Sequence, residues 1–425
     1  MLILLACAGM GAVSAQSIKA DTTHADPGKY SEELGYFRKA YSDLGDPRFM
    51  LTDGAGKFAF GLGATFSTLA YYDYAGALSS TAFVPFNINI PTDYANHYGL
   101  SIQGSEMHIK ARGYIGKNKV VAFMKLVSKT DLSIKISQAY LSFNGITVGQ
   151  TYSFFMDLEA GPMTIDLQGP NSQVAMAHPL VGYTRYLGER WMLGAALEES
   201  QTAFSDNLFD EFGVRSNYRS IPDIAMRVKY RGDKGHVQLS ALVTDNAYWC
   251  DSTFKSAVSG VGRHVWGWGV SLSGNWNPFD HVGFSGQLAG GQGISDYLQD
   301  LAGNNLKFYT DNALVDGYLV LHTRWAFGGY LSANIRWNEM FRSSLVYGIS
   351  YMPRVGEGQL SLETDLLQQY KASAYALANF FWMISPYARM GVEFVTGYKE
   401  VYPLLEDSPV CGIANRVNAV FVYQF

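Results

Sequence analysis

From Lys57 to Phe425 the chain repeats one pattern, in which bulky apolar side chains occupy every second position of a run. Phe58, Phe60, Leu62, Ala64 and Phe66 alternate with Ala59, Gly61, Gly63, Thr65 and Ser67. Ile224, Met226, Val228 and Tyr230 alternate with Ala225, Arg227, Lys229 and Arg231, and Leu331, Ala333, Ile335 and Trp337 with Tyr330, Ser332, Asn334 and Arg336. A period of two sends successive side chains to opposite faces of an extended strand, so the pattern predicts antiparallel sheet with one apolar and one small or polar face. Beyond Ala15 no window holds the roughly eighteen apolar residues a spanning helix needs. If this chain crosses a membrane, it does so with strands.

A soluble sheet also alternates. Two features favour lipid on the apolar side. The runs last about nine to thirteen residues, the length a tilted strand needs to cross a bilayer, against five or six in ordinary sheets. Aromatics gather near the run ends (Tyr71, Tyr72, Trp266, Trp276, Trp325, Trp337, Tyr423, Phe425), where girdles meet lipid head groups. The 28 Tyr, 25 Phe and 44 Gly beside only 13 Pro fit strands and tight turns.

The connections alternate in length. Short polar links at Gly116-Lys117-Asn118, Asn144-Gly145, Gly188-Glu189, Arg231 to Gly235, Asn277 to Asp280 and Ser385-Pro386 separate long ones, near 73–98, 154–178, 201–222, 246–263, 292–313, 354–370 and 400–412. Short periplasmic turns with long external loops are the outer-membrane pattern. The expected fold is all-β: a transmembrane antiparallel β-barrel of about sixteen strands over residues 57–425, wide enough for an aqueous channel.

Residues 1–15 are uncharged and apolar or small, with Val13-Ser14-Ala15 at a cleavage position, and are read as a signal peptide. Leu4-Leu5-Ala6-Cys7 also resembles a lipoprotein signal, but Cys7 lies too near the start and the apolar run continues past it. Residues 16–56 form a polar periplasmic lead-in with a short helix expected over 31–38. Phe421, Tyr423 and Phe425 share one face of the last run and form an aromatic terminus suited to the barrel-assembly machinery. Cys250 and Cys411 fall in outward loops of an oxidising compartment, where a disulfide and two separate thiols both stay open.

Net charge is −5 with no basic stretch, which excludes nucleic acid as a partner. No metal-ligand spacing, phosphate-binding loop, nucleophile elbow or paired-cysteine motif occurs, so no catalytic residue, metal or cofactor is expected. In a closed barrel every second side chain faces the lumen. That rule sends Lys110, Arg112, Lys125, Arg185, Arg227, Lys229, Arg231, Arg336, Arg389 and Arg416 inward, against the acidic residues Glu106, Glu198 and Glu393. A basic wall lowers the barrier for anions. The bland alternative is that these cations pair with loop carboxylates and brace the wall.

The most individual stretch is Gly149-Gln150-Thr151-Tyr152-Ser153-Phe154-Phe155-Met156-Asp157, followed by Asp166-Leu167-Gln168-Gly169-Pro170-Asn171. It resembles the DcaP-like porins. Trp337 to Gly348 and Asn415-Arg416 are further points of likeness, spread over most of the barrel. The resemblance implies a homotrimer and a narrowed, arginine-lined channel for small anions such as dicarboxylates, with loop 154–178 as the constriction. The chain departs from the family at Glu106, where a basic residue is expected, and in a lead-in too short for a coiled coil. The expected function is passive diffusion of small hydrophilic solutes through the outer membrane, favouring anions. The alternative is a substrate-specific channel or loop-based receptor, for example for sugars, suggested by the aromatic-rich loop Ala82-Phe83-Val84-Pro85-Phe86-Asn87.

Overall fold

Alternating segments of this length satisfy their backbone groups only by pairing edge to edge, and in lipid only by closing. The chain does so. The computed structural model describes residues 49–425 apart from 54–56, 77, 79, 117, 130–131, 200–220, 251–259, 310–313, 316–317, 355–358, 362–367 and 404–408. The signal-peptide and short-helix expectations therefore lie outside the described residues.

One sheet takes in β1 (Phe49–Thr52), β2 (Ala59–Tyr74), β3 (His97–Ser101), β4 (Glu106–Ile115), β5 (Asn118–Ser128), β6 (Ile134–Phe143), β7 (Ile146–Tyr152), β8 (Ala177–Leu187) and β9 (Trp191–Glu198). It continues through β10 (Asp223–Gly232), β11 (Gly235–Asp245), β12 (Trp266–Trp276), β13 (Val282–Gln292), β14 (Trp325–Arg336), β15 (Phe341–Tyr351), β16 (Gln368–Met383), β17 (Ala388–Pro403) and β18 (Cys411–Gln424). Sequential neighbours pair antiparallel, and β18 closes the wall on β2, from Thr65↔Gln424 to Tyr74↔Asn415. β3 and β4 both pair with β2 and make one wall strand, interrupted near Gly104. β1 pairs with β2 at Phe49↔Leu62 to Thr52↔Ala59, below the end of β18. With those two segments merged into their neighbours, the wall is a closed barrel of sixteen strands, as the alternation predicts. β1 is the difference: the polar lead-in of the sequence reading contains a strand that belongs to the barrel sheet.

The pleat assigns the faces as expected. On β12, Trp266, Trp268, Val270 and Leu272 point out, and Gly267, Gly269, Ser271 and Ser273 point in. Trp266 is 54% exposed, Phe66 64% and Leu331 73%. An apolar surface of this extent encircling a soluble protein would aggregate; around a barrel it is the lipid face. Asn144 and Gly145, both at positive φ, make the tight β6–β7 turn. Cys250 is buried, Cys411 is exposed, and neither forms a disulfide.

The interior is not empty. Residues 80–90 and the loops 153–176 and 293–305 fold inward. Phe83 and Ile88 of the first pack among Tyr375, Leu377, Val395 and Ala414. Phe154, Phe155 and Met156 of the second join Tyr297, Leu298 and Leu301 of the third in a buried cluster. The aromatics that suggested an outward receptor loop thus face the other way: Phe83 is fully buried inside the barrel. Transfer of such rings from water gives the loops a reason to fold in, at roughly 1.5–3 kcal/mol for each buried side chain.

Candidate functional site

The loop after β7 builds the site. Gly149, at φ +128, lies so close to β6 that a Cβ would meet the Ala139 carbonyl oxygen at 2.3 Å. Beside it, Gln150 faces out and donates to the Ile136 and Ser137 carbonyls, 3.5 and 3.3 Å away, at a bulge in the β5–β6 pairing. Thr151 faces in and accepts from Gln138. Tyr152 ends the strand, and the Ser153 N–H donates to the Met176 carbonyl, closing the base of the loop.

From there the loop crosses the lumen twice. It first meets β10–β12. Asp157 accepts from Lys229 (2.9 Å), pairs with His236 (2.7 Å) and accepts from Ser273 (2.8 Å). Glu159 accepts from Lys229 at 3.1 Å and from Arg231 at 2.7 Å. Burial pushes both carboxyls up, but His236 and Lys229 hold Asp157 well below the usual carboxylate range, and Lys229, His236 and Arg231 hold Glu159 below it. The loop then spans to β16 and β17, where the N–H groups of Ile165 and Asp166 each donate to Glu393 at 2.7 Å. Asp166 accepts from the Phe83 N–H, the Gly169 N–H and the Tyr375 hydroxyl, joining the first inward loop to the second. Burial raises its carboxyl to about 6.

The return path, Pro170 to Val174, runs along β16 to β13. Asn171 donates to Ser373, Ser172 shares a hydrogen bond with Ser350, and Gln287 donates to the Ser172 carbonyl. Glycines on the inner face make room: a Cβ at Gly328 would sit 2.0 Å from Ser172 Oγ, and one at Gly348 2.9 Å from the Asn171 nitrogen. The third loop completes the seam, with Gln299 N–H donating to the Gln173 carbonyl and Asp300 accepting from the Ser172 N–H.

Beside the loop a cavity of about 1210 Å³ lies open along β4–β12 and as far as Arg336 of β14, reaching the short turns at Asn144-Gly145, Asp233-Lys234 and Asn277 to Asp280. Lys and Arg outnumber Asp and Glu eight to three along its lining. Of the ten basic residues proposed for the lumen, the structure gathers Lys110, Arg227, Lys229, Arg231 and Arg336 here. Arg227 lies 4.0 Å over the Phe154 ring and donates to Thr184 Oγ1. Arg336 donates to the Asp280 carbonyl. Arg112 faces inward beside Lys110, opposite Val121. Arg389 shares the inner face of β17 with Gly391 and Glu393.

Three of the ten stand elsewhere. Arg185 shares the outward face of Pro179, Val181 and Tyr183, pairs across to Leu193, and meets the cavity only at its rim; pleat parity, counted from His178, puts it outside. Lys125 is buried in an ion pair with Glu106, so the departure from the family pattern at Glu106 is compensated by its neighbour. Arg416 is fully buried away from the cavity. It donates to both Asp73 oxygens and to the Ser80 and Thr81 carbonyls, and stacks on Tyr71. It anchors the first inward loop and offers nothing to a solute. Glu198 likewise accepts the Phe154 N–H, and so serves the loop rather than the channel.

The sequence reading missed Lys119, Glu159, His236 and Asn275 as residues of this site. Parity on β11 and β12 would have placed His236 and Asn275 inward, since each lies on the face of Gln238 and Ser273. No periodicity could place Glu159, which sits on a loop. Phe421 and Tyr423 face outward on β18, and the Phe425 ring packs edge-on against Phe49 of β1.

The family described as DcaP outer membrane protein matches residues 70–425. The outer membrane channel DcaP of Acinetobacter baumannii superposes with a TM-score of 0.69 at 19% identity, covering 88% of this chain and 99% of that one. An anion-selective porin from Comamonas acidovorans gives 0.52 at 10% identity, with 87% and 100% covered. OmpT of Vibrio cholerae in its trimer form gives 0.53 at 10% identity, with 87% and 99% covered. No curated protein matches the sequence.

Proposed function

The chain belongs to the DcaP outer membrane protein family, is a channel of the Gram-negative outer membrane, and, on that premise, we propose that it admits small hydrophilic solutes passively and favours anions such as dicarboxylates. The observation that carries the preference is the excess of Lys and Arg over Asp and Glu around the open cavity, seven to three once the outward Arg185 is set aside. Fixed cations in a low-dielectric passage raise the local anion concentration and offset part of the desolvation on entry. Arg227, held flat by Phe154, presents a planar fork suited to a carboxylate. The solved relative described as anion-selective supports the reading by fold alone.

The channel carries out no catalysis in this reading. A sugar receptor loses its support, because Phe83 and Ile88 are buried inside the barrel.

We propose a homotrimer as well; the family likeness and OmpT, described in a trimer form, support it. The reading puts its contact face at β4–β7, which the small or aliphatic outward residues Ala111, Ala122, Met124, Ala139 and Val148 support. The sector β12–β18, by contrast, carries Trp266, Trp268, Trp276, Trp325 and Trp382. Ala122→Trp should dissociate the trimer on unheated gels; an intact trimer would move the contact elsewhere. Outward Phe421 and Tyr423 support recognition of β18 by the barrel-assembly machinery; Phe421→Ala with Tyr423→Ala should cut the yield of folded barrel, and an unchanged yield would remove that role.

Planar-bilayer recordings in a KCl gradient test the anion preference. The expected reversal potential is anion-biased, and the Arg227, Arg336 and Arg389 to Ala variant moves it toward zero. A cation-biased wild type, or a triple variant with unchanged selectivity, would reject the reading.

A further inference from the structure

The constriction loop brings a carboxylate of its own to the basic face of the cavity. Glu159 sits on the lining, and its two oxygens accept from Arg231 Nη2 at 2.7 Å each. Lys229 Nζ donates to the same carboxylate at 3.1 Å, and His236 Nδ1 stands 3.8 Å away. Neighbouring Asp157 is different. It is enclosed by Lys229, His236 and Ser273, buried to 4% exposure, and fixes the loop to the wall. The Glu159 side chain is not needed for that, because Asn275 already holds the Glu159 backbone carbonyl at 3.0 Å. Arg231 keeps 55% of its side chain exposed, so water and solute reach the pair.

We propose that Lys229 and Arg231 form a carboxylate-binding subsite that Glu159 occupies as a tethered ligand and that a solute carboxylate enters by displacing it. The inference deepens the anion reading of the lumen and rests on it. Exchange of one carboxylate for another keeps the two cations partnered, so neither has to lose its counter-charge during passage. It also limits residence. A pore needs sites strong enough to admit a solute and weak enough to release it, and a built-in competitor at high effective concentration weakens the site without removing its specificity.

Single-channel recordings with succinate as probe decide the matter. Glu159→Gln keeps the side-chain size and the backbone bond to Asn275 but removes the competing negative charge, while Lys229 keeps Asp157. The anion-to-cation permeability ratio should rise roughly threefold or more, because one fixed negative charge leaves a confined passage. Succinate should then interrupt the current at roughly tenfold lower concentration, by loss of the competitor. The double variant Glu159→Gln with Arg231→Gln restores the net charge; its permeability ratio should return toward wild type while the succinate sensitivity is lost. Unheated gel mobility reports whether each barrel is folded, and Glu159→Asp, which shortens the tether and keeps the charge, serves if Glu159→Gln does not fold. There succinate sensitivity should rise with the KCl selectivity unchanged. An anion-selective wild type in which these variants leave succinate sensitivity unchanged overturns the subsite and leaves the porin reading standing. A wild type without anion preference overturns that reading, and the succinate series still decides the subsite.

Discussion

Arg416 separates bracing from selectivity, because it is a basic lumen-side residue on β18 that the structure withdraws from the channel. Arg416→Met replaces a fully buried guanidinium by a side chain of comparable reach. Asp73, also fully buried, then keeps the Leu78 N–H as a donor and His97 at 4.0 Å, and the Thr81 carbonyl loses its 2.9 Å partner. Stranding one member of a buried pair costs about 3–5 kcal/mol, and an orphaned buried carbonyl about 1–3 kcal/mol. The molecule has a way out: the segment 80–90 can leave the lumen and let water reach Asp73. That route exposes Phe83 and Ile88, at roughly 1.5–3 kcal/mol each. The first route costs about 4–8 kcal/mol and the second about 3–6 kcal/mol, so the smaller sets the expected loss at about 3–6 kcal/mol. Urea unfolding in detergent, followed by tryptophan fluorescence and by gel mobility, measures it. If the loop leaves, single-channel conductance should also rise, and the reversal potential should move toward cations with the unpaired Asp73 carboxylate. Asp73→Asn combined with Arg416→Met should recover more than half of the loss, because no buried charge is then left unpaired. A loss below about 1 kcal/mol, against the scale expected for a stranded buried charge, would refute the bracing role. So would a selectivity change as large as that of Arg227→Ala that persists in the Asp73→Asn, Arg416→Met double variant.

Glu393→Ala strands the Ile165 and Asp166 N–H groups, at about 1–3 kcal/mol each, and should give larger, noisier conductance steps, with Glu393→Gln intermediate; steps of wild-type size and noise would deny it the clamp. Gly149→Ala forces a Cβ against the Ala139 carbonyl at φ +128 and should cost about 1–3 kcal/mol in urea unfolding; a variant as stable as wild type would show that the bend is not needed. The Asp166 carboxyl, raised to about 6 from 3.8, binds its proton in the folded state before the unfolded chain does. Its contribution is therefore fully present below about pH 4 and is lost as pH rises through about 6, worth up to about 3 kcal/mol. The difference in unfolding free energy between wild type and Asp166→Asn, measured by urea at pH 4.5 and 7.5, should change by that order; an equal difference at both values would contradict the burial argument.

The sequence by itself determined the wall. A period of two fixes which side chains share a face, and turn residues such as Asn144-Gly145 fix where strands reverse, so strand number, closure and the inward placement of Arg227, Lys229 and Arg336 were legible. Parity also exposes its own error at Arg185, where one step of counting changes the face. The lumen was decided by tertiary structure alone. Whether an inward cation meets solute or carboxylate depends on where a loop lands, and loops carry no period. Asp157 and Glu159 reach Lys229 and Arg231 across some seventy residues of sequence, and Asp73 reaches Arg416 across 343. Glu106 and Lys125 lie on neighbouring strands, yet their pairing rests on a register set by the whole β4–β5 ladder. The inward glycines at 328 and 348 had shown only a small-residue face until Ser172 and Asn171 came to lie against them. A barrel wall is written in local alternation; its passage is set by long-range charge pairing and by the burial of apolar loop residues, which no local pattern encodes.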